Sequence, residues 1–98
     1  MNSELNVTLI QPDIIWKNAR ENLVLYTEML AGYTGTTDIV FLHEMFQTGF
    51  YTEPKDIAET MDGDSVRWMK RTADSLQCAV AGSLVIKENR RFFNRAVF

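Results

Sequence analysis

His43-Glu44 is the first pair in this chain that could do chemistry. A histidine followed by a glutamate opens the zinc-protease pattern H-E-x-x-H, where two imidazoles one helical turn apart hold the metal and the glutamate moves a proton. The second histidine would fall at position 47, which is Gln47, and His43 is the single histidine of the chain. No metal and no cofactor is therefore assigned. Cys78, the single cysteine, opens the apolar run Cys-Ala-Val-Ala with no cation beside it. A reactive thiolate needs an electropositive, partly exposed niche, so Cys78 reads as a packing residue. Gly32 and Gly35 follow a helical segment rather than a strand, and no G-x-x-x-x-G-K-[ST] run exists, so nucleotide phosphates have no cradle here.

Glu44 is the stronger candidate. It follows the apolar run Ile39 to Leu42, placing it at the C-terminal end of a buried strand, the edge at which open α/β sheets bind ligands. Met45, Phe46, Phe50 and Tyr51 lie close in sequence. A carboxylate among apolar groups loses hydration in its charged form, which suits it to accept a proton near neutral pH. The plainer alternative is a capping or surface glutamate at a strand end. Phe46, Phe50 and Tyr51 either line a substrate pocket or fill the core.

The elements that must position Glu44 follow from periodicity. Leu5 to Ile10 alternates as a strand and Gln11-Pro12-Asp13 ends it. Asn18 with Glu21 resembles a capping box, after which Ala19, Leu23, Tyr26 and Leu30 recur at helical spacing. Residues 38–42 form a short β-branched strand. Positions 43–61 show no clear period. Asp64 or Ser65 caps a second helix whose stripe is Val66, Met69, Ala73 and Leu76. Residues 78–86 and 91–98 are two further strands joined by a tight turn at Lys87-Glu88-Asn89-Arg90, in which Asn89 tolerates a left-handed backbone. The order is β-α-β-α-β-β, an α/β arrangement with parallel pairing of the first three strands. Helices held to one side of this sheet leave its other face apolar.

Composition excludes several classes. The chain has 98 residues, 46% of them hydrophobic, and a net charge of −3. That is one small domain at most, with no pull toward nucleic acid or an anionic membrane. Lys87, Arg90, Arg91 and Arg95 form a local basic group that reads as a solvated hairpin tip. No apolar stretch approaches membrane-span length, and the start lacks a signal-peptide pattern. A lone cysteine points to a reducing, cytoplasmic compartment. The apolar ending Ala96-Val97-Phe98 suggests that residues 1–98 are a partial domain, continued by further chain.

Several segments, taken in order, carry a resemblance. Residues 7–16 (VTLIQPDIIW) look like the opening strand and turn of the nitrilase superfamily of carbon–nitrogen hydrolases. Residues 38–50 (DIVFLHEMFQTGF) resemble its first catalytic motif. Met61-Asp62-Gly63, Ala79 to Ser83 and Phe93-Asn94-Arg95 are similar to family segments in the same order. Gln11-Pro12-Asp13 with Glu44-Met45-Phe46 and Thr48-Gly49-Phe50 most resembles the omega-amidase branch. His43 departs from the proline common before the family's glutamate, and Asn89-Arg90 departs from the frequent Asn-Gly turn.

The resemblance implies an α/β fold that is the N-terminal part of a four-layer α-β-β-α sandwich. It implies hydrolysis of an amide to a carboxylate and ammonia by a cysteine nucleophile, a glutamate base and a lysine at the oxyanion. Glu44 maps onto the base; the cysteine and lysine would lie beyond Phe98. The implied partner is a small amide, with 2-oxo dicarboxylic acid ω-amides as the class, and the implied assembly is a homo-oligomer. A non-catalytic binding or regulatory module of the same fold is the competing expectation.

Overall fold

The structure is a computed structural model and describes residues 4–33 and 35–98. Seven elements follow in chain order: β1 (Val7–Leu9), α1 (Ala19–Ala31), β2 (Ile39–Phe41), α2 (Pro54–Ile57), α3 (Asp64–Leu76), β3 (Ala79–Glu88) and β4 (Arg91–Val97). The expected order is present with one addition. The one-turn helix α2 breaks the aperiodic stretch and starts on Pro54, whose fixed φ suits a first helical position. The expected strand over Leu5 to Ile10 contracts to three residues, although the Ile10 N–H still donates to Phe41 O at 3.1 Å.

The four strands form one sheet in the order β1-β2-β3-β4. The β1–β2 and β2–β3 pairs are parallel, with Val7 opposite Ile39 and Ile39 opposite Ala79. The β3–β4 pair is antiparallel, with Gly82 opposite Val97 and Glu88 opposite Arg91. The hairpin turns on two left-handed residues, Asn89 (φ 52°) and Arg90 (φ 65°), where the sequence pointed only to Asn89. Two consecutive positive φ angles match the twist that a two-residue hairpin needs. Arg95 Nη2 donates to Glu88 Oε2 at 2.9 Å and holds the Glu88 carboxyl below its ordinary range. That contact therefore supports the hairpin above the usual glutamate range and is lost as acid protonates Glu88.

α1 begins as the sequence indicates: the Asn18 side chain accepts from the Glu21 N–H at 3.1 Å. α3 does not. Its N-cap is Gly63 rather than Asp64 or Ser65, because the cap comes from outside the helix. Glu59 Oε1 accepts from the Ser65 N–H at 2.8 Å and Oε2 accepts from Ser65 Oγ at 2.5 Å. A Cβ at position 63 would lie 2.8 Å from Glu59 Oε1, so glycine makes room for this remote cap.

Both long helices lie on one face of the sheet. Tyr26, Leu30, Val66, Trp68 and Met69 pack on Val40, Val80, Leu84 and Ile86. The rings of Tyr26, Phe46 and Trp68 contact one another with centroids 5.7 to 6.0 Å apart. Burial pushes the Tyr26 hydroxyl up to about 12. The Trp68 indole N–H donates to Thr27 Oγ1 at 2.8 Å and ties α3 to α1. The opposite face is largely bare: Leu9 is 77% exposed, Phe41 40% and Phe98 86%. Among the described residues, Met45, Ile57 and Val85 form a small cluster on it, with Tyr51 and Ala58 at its edge. The one-sided coverage expected from the element order is thus present.

Leu84 is fully buried at the centre of the helix-covered face. Leu84→Ala removes packing that has no means of closing up and should cost about 2–5 kcal/mol. Denaturant unfolding followed by circular dichroism measures it; a loss under about 1 kcal/mol would place the core elsewhere.

Candidate active site

β2 leads directly into the site. The Leu42 N–H donates to Ala81 O at 2.7 Å, and the chain then enters a turn over residues 44–48. Met45 takes φ 49°, a left-handed value costly for a side chain of its size, and Gly49 takes φ 80°. The turn is held from three sides. From β3, Ser83 Oγ accepts from the Met45 N–H at 3.0 Å and Ser83 O accepts from the Phe46 N–H at 3.2 Å. From α1, Asn22 Nδ2 donates to Gln47 O at 2.8 Å. From the β1–α1 connection, the Lys17 N–H donates to Thr48 O at 2.6 Å. Gly82 permits the close approach, since a Cβ there would stand 3.0 Å from both Leu42 Cβ and Phe46 Cδ1.

Asn22 does more than touch the turn. It is fully buried in α1, and its Oδ1 accepts from the Ile15 N–H at 2.6 Å while Nδ2 also donates to Ile15 O at 2.6 Å. One amide thereby satisfies backbone groups of two connections. Such groups are costly when buried unpaired.

The turn sends its side chains in different directions. Glu44 is exposed and stands on the rim of an open hollow of about 420 Å³ lined by Phe41, Ala81, Ser83, Ala96 and Phe98 among others. This hollow lies on the uncovered sheet face. Asn94 of β4 donates from Nδ2 to Glu44 Oε2 at 3.0 Å. Met45 and Phe46, expected from the sequence to crowd the carboxylate, point away from it. Met45 enters the small cluster, and Phe46 is fully buried in the main core against Tyr26 and Trp68. A left-handed Met45 redirects the chain between Glu44 and Phe46, which adjacency in sequence does not reveal.

Phe50 and Tyr51 part company as well. Phe50 is exposed. Tyr51 is half-buried, donates to Asp56 Oδ2 at 3.0 Å, lies under Lys17 Nζ at 4.7 Å from its ring centroid and meets the edge of the exposed Trp16. The Tyr51 and Asp56 oxygens around it hold the Lys17 ammonium above the ordinary lysine range. His43 is half-buried beside Glu44 in sequence, while Gln47 is fully buried. Among the described residues no three His, Cys, Asp or Glu side chains are placed to share a metal ion. No helix among them is long and apolar enough to cross a membrane. The larger hollow between α1 and α3, about 650 Å³, is lined by none of Glu44, Phe46, Phe50 and Tyr51. Cys78 is half-buried against the main core, and burial pushes its thiol up.

The chain has clear relatives. The family model described as carbon–nitrogen hydrolase matches residues 6–98. The omega-amidase YafV of Escherichia coli (strain K12) is 33% identical over 91 residues, which are 93% of this chain and 35% of the relative. The omega-amidase YafV of Yersinia enterocolitica is 27% identical over 93 residues, 95% of this chain and 36% of the relative. The chain therefore spans about a third of the length of the curated relatives it matches. Among solved structures, a CN-hydrolase superfamily protein of Xanthomonas campestris with an arsenic adduct in its active site is 35% identical, with a TM-score of 0.87 over 94% of this chain and 35% of that chain. An N-terminal amidase with a bound Asn-Glu-Ala peptide shares the fold at 19% identity and a TM-score of 0.82, covering 94% of this chain and 24% of its own.

Two outcomes follow from this geometry. Asn22→Leu leaves the Ile15 and Gln47 backbone groups unpaired and should lower stability by about 2–3 kcal/mol; a chemical melt matching the parent chain would show that the clamp contributes little. Cys78, half-buried and with its thiol pushed up by burial, should react with a thiol reagent at pH 8 several times more slowly than free cysteine, as followed by absorbance. A reaction as fast as free cysteine would show that burial neither shields nor perturbs it.

Proposed function

We propose, for a chain that belongs to the carbon–nitrogen hydrolase family, that Glu44 is the general base of an amidase whose remaining catalytic groups lie in sequence outside these 98 residues. The observation that carries this reading is the placement of Glu44. Its carboxylate sits past the C-terminal end of a parallel strand, exposed on the rim of a hollow, on a turn braced by three other elements. A base must be reachable by the group it deprotonates and must stay where it is put.

The chemistry then runs as follows. A cysteine thiol passes its proton to Glu44 and its sulfur bonds to the amide carbonyl carbon. A lysine ammonium stabilises the oxygen that takes up the carbonyl electron pair. The carbon–nitrogen bond breaks as Glu44 returns the proton to the departing nitrogen, releasing ammonia and leaving a thioester. Water gives a proton to Glu44 and attacks that thioester, and the carboxylate product leaves as the thiol is restored. Amide plus water yields acid plus ammonia, with no net change in the protein.

Omega-amidase relatives at 33% identity support an ω-amide as substrate, and small ω-amides of 2-oxo dicarboxylic acids are the class that the motif resemblance implies. Phe50 and Tyr51 follow the Glu44 turn in sequence and do not line its hollow; they are candidates for the wall of the complete pocket. The bare sheet face supports a sandwich completed by further chain, and a homo-oligomer working in the cytoplasm is the expected assembly. The 98 residues alone should show no turnover, because only the base is present.

Glu44→Gln is close in shape but cannot accept the thiol proton. In the full-length protein carrying this chain it should lower kcat by about 10²–10⁴-fold, measured by ammonia release from a small ω-amide, with thermal unfolding unchanged. Activity within tenfold of the parent would remove Glu44 from the base role.

A further inference from the structure

We infer that Asn94 is a positioning residue for Glu44, fixing one carboxylate oxygen so that the other faces the group to be deprotonated. The inference rests on the reading of Glu44 as base and adds a residue to it.

Three observations carry it. First, Asn94 Nδ2 lies 3.0 Å from Glu44 Oε2, although the residues are 50 positions apart. An ionised carboxylate accepts and never donates, so the nitrogen end of the Asn94 amide must face it. Second, the contact is anchored in the sheet. Asn94 sits in the middle of β4, opposite Val85 of the long strand β3. Two residues before Val85 on β3, Ser83 holds the backbone of the Glu44 turn through Met45 N. The hairpin thus fixes Glu44 at its backbone by one strand and at its carboxylate by the other. Third, Asn94 is the one described residue whose hydrogen bond reaches this carboxylate. Arg95, next in sequence, points to the other face of the sheet and is engaged with Glu88. The donor chosen is therefore neutral: it orients Glu44 without placing a cation beside it.

A freely rotating glutamate offers either oxygen in several rotamers, few of them productive. Bonding Oε2 to a strand side chain selects one arrangement before substrate arrives and leaves Oε1 for the proton. The cost of losing such an orienting bond appears in the chemical step rather than in substrate binding.

The test uses the full-length protein carrying this chain, with Glu44→Gln, Asn94→Ala and Asn94→Asp assayed in parallel on a small ω-amide. Asn94 is exposed on β4, so neither substitution should shift thermal unfolding. Asn94→Ala is expected to lower kcat by about 10- to 100-fold while KM stays within about twofold. Asn94→Asp keeps the shape, removes the donor and sets a like charge against Glu44, so it should be slower still. Should Asn94→Ala keep the parent kcat, or lose activity only through KM or unfolding, the positioning role is wrong. An inactive Glu44→Gln beside a fully active Asn94→Ala sinks this inference alone; an active Glu44→Gln sinks the base reading with it.

Discussion

The placement of Glu44 depends on satisfying the backbone of one five-residue turn. The turn after β2 is neither helix nor strand; Met45 O is met locally by the Thr48 and Gly49 N–H groups, and several of its other N–H and C=O groups take partners from elsewhere. They come from β3 through Ser83, from α1 through Asn22 and from the β1–α1 connection through Lys17. Those elements are spaced along the chain from residue 17 to residue 83. The Glu44 carboxylate therefore reports on nearly the whole fold, and its placement cannot be separated from the packing of α1 or the register of β3. A loop with internal hydrogen bonds alone would have been free to drift.

Two packing environments meet at this turn. On the helix side, Phe46 joins Tyr26 and Trp68 in a dense aromatic contact. On the open side, Met45 joins Ile57 and Val85 and anchors the connection through α2. Glu44 stands between them at the surface. A left-handed Met45 lets consecutive side chains serve the two interiors and the hollow in turn. The strained backbone is offset by burial on both sides, a common arrangement at sites where a side chain must be held in an unusual direction.

Much of the fold was legible in the sequence because hydrophobic period and turn chemistry are local. The Asn18 cap, the Tyr26 and Leu30 stripe, the β-branched strand at residues 39–41 and the hairpin at Asn89 all follow from neighbours within a few positions. Glu44 was legible as a strand-end carboxylate for the same reason. What escaped was non-local. The Gly63 cap depends on Glu59 folding back along β3, so Asp64 and Ser65 looked like better caps than they are. Asn22 falls within a helical pattern where a polar residue reads as solvent-facing, and only the path of two loops puts it inside. Asn94 becomes meaningful once the β3–β4 register sets it across from the turn. Phe46 and Phe50 are alike in sequence and opposite in place, one in the core and one exposed. The direction of a turn separates them, and no periodicity encodes that.

The two tryptophans occupy contrasting places. Trp68 is sealed among aromatic rings between α1 and the sheet, whereas Trp16 lies exposed against Gly49 and the edge of Tyr51, next to the Glu44 turn. The molecule thus carries two built-in fluorophores with different surroundings. Short-wavelength emission comes from the sealed indole and tracks loss of the interior. Long-wavelength emission, open to collisional quenchers, comes from the solvent-facing indole and tracks what happens beside the carboxylate. Selective quenching would separate events at the site from global melting without any added label.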